Sequence, residues 1–70
     1  MSTLEVKFNS SEFGRAVEFF TFQSLFFGEA DEDFGVIDFE EDEECVDQLE
    51  ILLTEELIQN SFESFQFSLI

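Results

Sequence analysis

"GVIDFEEDEECVDQLEILLTEELIQNSFESFQF", residues 35 to 67, is the stretch on which the fold turns. Its start, within "DFGVIDFE", combines a glycine turn signal with β-branched and aromatic residues, the composition of a strand. From about residue 43 to 59 the period changes. Val46, Leu49, Leu53 and Leu57 form a helical stripe, widened by Cys45 and Leu52, and Asn60 and Ser61 end it. The period then returns to two: Phe65, Phe67 and Leu69 alternate with Ser64, Gln66 and Ser68, which predicts a closing strand. The stretch therefore reads strand, helix, strand.

The residues before it repeat that order. In "LEVKFNSSEFGRAVEFFTFQSLFF", residues 4 to 27, Leu4, Val6 and Phe8 alternate with Glu5 and Lys7 as in a half-buried strand. Ser10 or Ser11 is the expected helix N-cap. Phe13, Ala16, Val17 and Phe20 then fall on one helical face, although Gly14 weakens that helix. The aromatic-rich "TFQSLFFG" supplies the second strand, with Gly28 and "EADED" as the turn after it. Two such units in the order β-α-β-β-α-β predict an α+β, ferredoxin-like sandwich over residues 1–70 as one domain: a four-stranded antiparallel sheet with two helices on one face. A curved sheet packed on the second helix alone, with residues 11 to 20 irregular, is the alternative.

A chain of 70 residues has a marginal core. Twelve phenylalanines and a hydrophobic fraction of 44% offset that, and they argue against a disordered acidic tail. The single cysteine, Cys45, allows no internal disulfide and fits a reducing cytoplasm. The first residues lack a signal-peptide pattern, and no apolar run reaches the length of a membrane helix. A cytoplasmic protein is expected.

Catalytic chemistry is poorly supported. Without histidine there is no ordinary general base near neutrality and no Ser-His or Cys-His nucleophile. The carboxylates around Cys45 disfavour its thiolate, and core filling on the second helix is its expected role. The glycines are too scattered for a phosphate loop. Asp31 and Asp33 resemble the opening of an EF-hand loop, but Gly35 and Val36 stand where that loop needs an acidic or amide residue and a glycine. No enzyme activity, metal site or cofactor is expected.

What remains is charge. Eighteen acidic residues face Lys7 and Arg15, a net charge of −16, where roughly 2–8 in magnitude is usual for a small domain. Fourteen of the eighteen lie between Glu29 and Glu56. The expected surface comprises Glu29, Asp31, Glu32 and Asp33 in the central turn; Asp38, Glu40, Glu41 and Asp42 on and after the third strand; and Glu43, Glu44, Asp47 and Glu50 on the second helix. Duplex DNA carries one charge per about 1.7 Å, so sixteen charges match roughly 27 Å of duplex, close to the diameter of a domain this size. The sign excludes direct binding of nucleic acid or of an anionic membrane. Solubility, the helix dipole or a salt-loving host are the plainer explanations for such a surface.

A small, lysine-poor domain of this acidity, with its "DFEEDEECVDQLE" run, resembles the DNA-mimic proteins of phages and mobile elements, a class of anti-restriction proteins, glycosylase inhibitors and anti-CRISPR proteins. No motif of one particular family is present, so no residue role transfers individually. The resemblance implies competitive occupation of a basic groove on a nucleic-acid-binding protein in a host bacterial cytoplasm, an RNA-guided immune complex foremost. Affinity would then need apolar anchors amid the acids. Phe34 and Phe39 are the candidates, with Phe19 a third. A structural or adaptor module, homodimeric through its sheet edges and acidic for solubility, is the competing expectation.

Overall fold

The computed structural model describes residues 2–22 and 28–70. Its elements are β1 (Ser2–Lys7), α1 (Ser10–Phe22), β2 (Gly28–Asp31), β3 (Val36–Glu41), α2 (Val46–Gln59) and β4 (Gln66–Leu69). The sheet order is β2-β3-β1-β4, and every neighbouring pair is antiparallel. Each helix thus connects two parallel strands with a third lying between them, the ferredoxin-like arrangement that the two strand-helix-strand units predict. Residues 11 to 20 are helical, and Phe13, Ala16 and Phe20 are buried, so the alternative with one packed helix does not hold.

Register assigns the faces. Leu4 lies opposite Phe39 and Val6 opposite Ile37, while Leu69 and Phe67 flank Leu4 and Val6 from β4. This side of the sheet meets Phe13, Ala16 and Phe20 of α1 and Val46, Leu53 and Leu57 of α2 in one core cluster. Its rings meet edge to face: Phe20 and Phe39 have centroids 5.3 Å apart, Phe8 and Phe62 5.7 Å. Gly28 sits opposite Phe39, where a Cβ would stand 2.7 Å from Ile37 Cγ2 and 2.8 Å from Phe39 Cε1. Only glycine lets β2 approach these side chains so closely.

Several elements begin elsewhere than expected. The cap of α1 is Asn9, not Ser10 or Ser11: its Oδ1 accepts the Glu12 N–H at 2.9 Å and the Ser11 hydroxyl at 2.8 Å. Thr21 and Phe22 close α1 instead of opening a strand, and residues 23 to 27 lie outside the described ones. The second strand is Gly28–Asp31, a segment expected to turn. The turn itself is Glu32 to Gly35, with Gly35 at φ 67° and its N–H bonded to the Asp31 carbonyl at 3.0 Å. Helix α2 starts at Val46 instead of 43, because the Asp42 carbonyl accepts from both Cys45 and Val46 N–H and winds residues 43 to 45 into a preceding turn. That turn leaves Cys45 exposed, and Leu52 is half exposed on the flank of α2, so neither widens the buried stripe.

The far end of α2 closes in a Schellman motif. Phe62 N–H reaches the Leu57 carbonyl at 2.9 Å and Ser61 N–H reaches that of Ile58 at 3.1 Å, with Ser61 in the left-handed region at φ 66°. Leu57 and Phe62 are both buried at this corner.

Candidate functional site, an acidic sheet face

With both helices on one side, the alternate residues of each strand look the other way. Strand β1 presents Thr3, Glu5 and Lys7 there; β3 presents Val36, Asp38 and Glu40; β2 presents Glu29 and Asp31. The register then makes a row. Glu29 lies directly opposite Asp38, and Asp38 directly opposite Glu5. Directly paired residues have Cβ atoms roughly 4.5–5.5 Å apart, and like charges so placed destabilise a sheet. No cation interrupts the row: Lys7 sits one row along, opposite Val36.

The centre of the row carries a second anomaly. Asp38 Oδ1 is shut off from solvent and has no hydrogen-bond partner among the described residues. A buried acceptor left unpaired costs roughly 1–3 kcal/mol, more when charged. Depressions of about 500 and 400 Å³ flank it, Glu29 and Asp38 lining both. One extends over Asp31, Glu32 and Asp33, the other over Thr3 and Glu40. Among the described residues, no three acidic or cysteine side chains converge closely enough to hold a metal ion.

The remaining expected site residues fall into separate groups. Glu32 and Asp33 are exposed in the β2–β3 turn beside Phe34, which is 71% exposed. The Asp31 carboxylate accepts the Asp33 N–H at 3.1 Å and stiffens that turn. Glu41 points to the helix side of the sheet, paired with Ser2. Asp42, Glu43 and Glu44 are exposed in the connection to α2, and Asp47 and half-buried Glu50 follow on the helix. Glu43 and Glu44, expected on the second helix with Asp47 and Glu50, therefore lie in the turn that precedes it. Phe39, 2% exposed, belongs to the core and is no anchor for a partner. Phe19 also packs inward, its ring 5.1 Å from that of Phe20 and 5.9 Å from that of Phe62. Sequence reasoning missed Glu5, which lies outside the dense acidic run. The alternation of β1 already put it on the polar face, but only the β1–β3 register places it beside Asp38.

One carboxylate is consumed internally. Glu12 Oε1 accepts the Ser64 hydroxyl at 2.6 Å and the Ser64 N–H at 2.9 Å, and Oε2 accepts the Glu63 N–H at 3.1 Å. The Ser64 side chain holds its carboxyl below the usual range, reinforced by the backbone N–H groups of Ser64 and Glu63 and, more weakly, by Arg15. Arg15 is occupied as well. It donates to the carbonyls of Asn60 and Ser61 at 2.7 and 3.1 Å and lies 4.0 Å over the Phe62 ring. Its 3.6 Å contact with Glu12 is the only salt bridge among the described residues, so no acid of the sheet face is ion-paired there, not even with Lys7.

Among the described residues, no helix is long and apolar enough to cross a membrane. Comparison with protein-family models, curated proteins and solved structures finds no significant match, so the ferredoxin-like assignment rests on the topology of this chain alone.

Proposed function

We propose that the protein is a non-enzymatic inhibitor whose helix-free sheet face stands in for nucleic-acid phosphates. It occupies the DNA- or RNA-binding groove of a basic nucleic-acid-handling protein in a bacterial cytoplasm. An RNA-guided CRISPR–Cas complex is the leading target, which would make this an anti-CRISPR protein of phage origin. The observation that carries the reading is the Glu29–Asp38–Glu5 row, three directly paired carboxylates with no cation among them. Exposed Glu29 and the part-exposed Glu5 and Asp38 offer adjacent acceptors to guanidinium and ammonium groups, while the buried Asp38 oxygen adds to the cost of leaving the row unneutralised. Magnitude agrees: the net charge of −16 over the 32 Å longest axis is about one charge per 2 Å, near the 1.7 Å of duplex DNA. Phe34, exposed at the tip of the adjoining acidic turn, supplies the apolar contact that charge alone does not.

The test is capture of partners from a bacterial lysate with and without excess duplex DNA, repeated with Glu29→Lys plus Glu40→Lys, with Glu55→Lys on α2 as the control, and with Phe34→Ala. A nucleic-acid-binding complex displaced by the duplex, lost with the sheet-face pair and weakened by Phe34→Ala, supports phosphate mimicry. A partner indifferent to both duplex and charge reversal transfers the protein to the adaptor class.

A further inference from the structure

The edge of the sheet at β4 differs from the rest of the surface. From Ser64 to Ile70 the chain carries no charged side chain, in a molecule of net charge −16. Among the described residues β4 pairs with β1 alone, whereas the opposite edge, β2, carries Glu29 and Asp31. Exposed edges are ordinarily blunted by charge, proline or a bulge, because their free N–H and C=O groups template further pairing. Glu29 and Asp31 blunt β2; no charge or proline does so for β4.

The ladder shows which groups are free. Thr3 and Ile70 exchange both backbone hydrogen bonds, at 3.4 and 2.8 Å. By alternation Gln66 and Ser68 likewise turn their backbone groups toward β1, so Phe65, Phe67 and Leu69 turn theirs outward. We propose that two copies of this chain pair through these groups, β4 antiparallel to β4 about a two-fold axis at Phe67, into one eight-stranded sheet.

That register satisfies each requirement of an isologous contact. Phe67 meets the second copy's Phe67, and Phe65 meets its Leu69, as hydrogen-bonded pairs on the helix side of the sheet. There Leu69 is 62% exposed in the single chain. Gln66 meets Ser68 on the acidic side, so no charge opposes a like charge. Strands lie about 4.8 Å apart, which separates the two Glu5 residues by roughly 14 Å and the two Asp38 residues by roughly 24 Å. Both distances exceed the screening length of about 8 Å at physiological salt. Across the joint, the row containing Lys7 continues into the row containing the second copy's Glu5 and Asp38, at a separation again of roughly 14 Å or more, so charge neither drives nor blocks the pairing there. At this edge a second copy can approach without setting carboxylate against carboxylate, and that selects it as the occupant.

Strand pairing over so few residues buries less than the roughly 1,200 Å² of a standard stable interface, so the dimer is weak and forms at high concentration. It is tested on the purified protein alone, independently of any target, by sedimentation equilibrium up to about millimolar protein. The dissociation constant should fall severalfold as sodium chloride rises from about 0.05 to about 0.5 M, because the residual repulsion is screened. Leu69→Pro removes an outward N–H while leaving the β1 ladder bonded, and should abolish the dimer. Gln66→Glu with Ser68→Glu should weaken it at least about tenfold, whereas Gln66→Glu with Ser68→Lys should restore or tighten it. These two pairs differ only at residue 68 and both positions are exposed, so they remain decisive if the proline variant fails to fold. A monomer at every concentration and salt, or a dimer indifferent to residues 66, 68 and 69, overturns the proposal.

Discussion

The Ser64 hydroxyl accepts the Asn9 N–H at 3.0 Å and donates to Glu12 at 2.6 Å. In a capping box the glutamate at the third helical position would bond the N-cap N–H directly. Here a serine from a loop 55 residues away stands between them, so the cap of α1 also ties down the loop leading to β4. Replacing Glu12 by Gln should lower the melting temperature at neutral pH, since its amide accepts these N–H bonds without charge. The sign with pH follows from the lowered folded-state pKa. The contribution is complete above the unfolded value near 4.5 and disappears as pH falls through the folded one. The gap in melting temperature between wild type and Glu12→Gln should therefore close on acidification below about pH 4.5, by circular dichroism across a pH series. None of this was legible in the sequence, where Glu12 is one acid outside the dense run. Its partner lies half the fold away. The same limit applies to Phe39: its acidic neighbours in sequence, Asp38 and Glu40, face the other side of the sheet, while Phe39 itself enters the core.

Elements with strong periodicity were legible; those made by their neighbours were not. The stripes of α1 and α2 and the alternation of β1 come from local pattern, and each is observed with its central residues buried, although Cys45 and Leu52 fall outside the buried side of α2. Strand β2, Gly-Glu-Ala-Asp, contains no residue that favours a strand on its own. It is extended because β3 pairs with it and because Gly28 fits over Ile37 and Phe39, contacts that no local window contains. The Schellman end of α2 is a mixed case: Asn60 and Ser61 read correctly as a stop, yet a serine at positive φ carries a steric cost that glycine avoids. Ser61→Gly should therefore stabilise the protein by about 0.5–1 kcal/mol, with an unchanged urea m-value in chemical denaturation. A loss of stability instead would show that the serine side chain contributes more than the backbone strain removes.

At the scale of the whole molecule, charge opposes the fold. The like-charged row across β2, β3 and β1 has no cation within it, and the net charge of −16 repels itself over a radius of gyration of 11.0 Å. Raising sodium chloride from about 0.05 to about 0.5 M should increase the unfolding free energy by about 1 kcal/mol or more. An unchanged urea midpoint would show that the row is not repulsive. Binding of the proposed basic target should weaken over the same range, so salt separates the two effects. Abundance of acid was plain from composition; its division into a sheet face, a turn and a helix flank required the topology. The scarcity of cations has a practical side. Arg15 is engaged by the Asn60 and Ser61 carbonyls, and Lys7, the only lysine, stands exposed on the acidic face itself. Among side chains, amine chemistry, whether a fluorophore, a cross-linker or an immobilising bead, will therefore attach at Lys7 alone, with the α-amino group as the competing site to be blocked. A dye placed there reports any visitor to that face, while a bead placed there hides it.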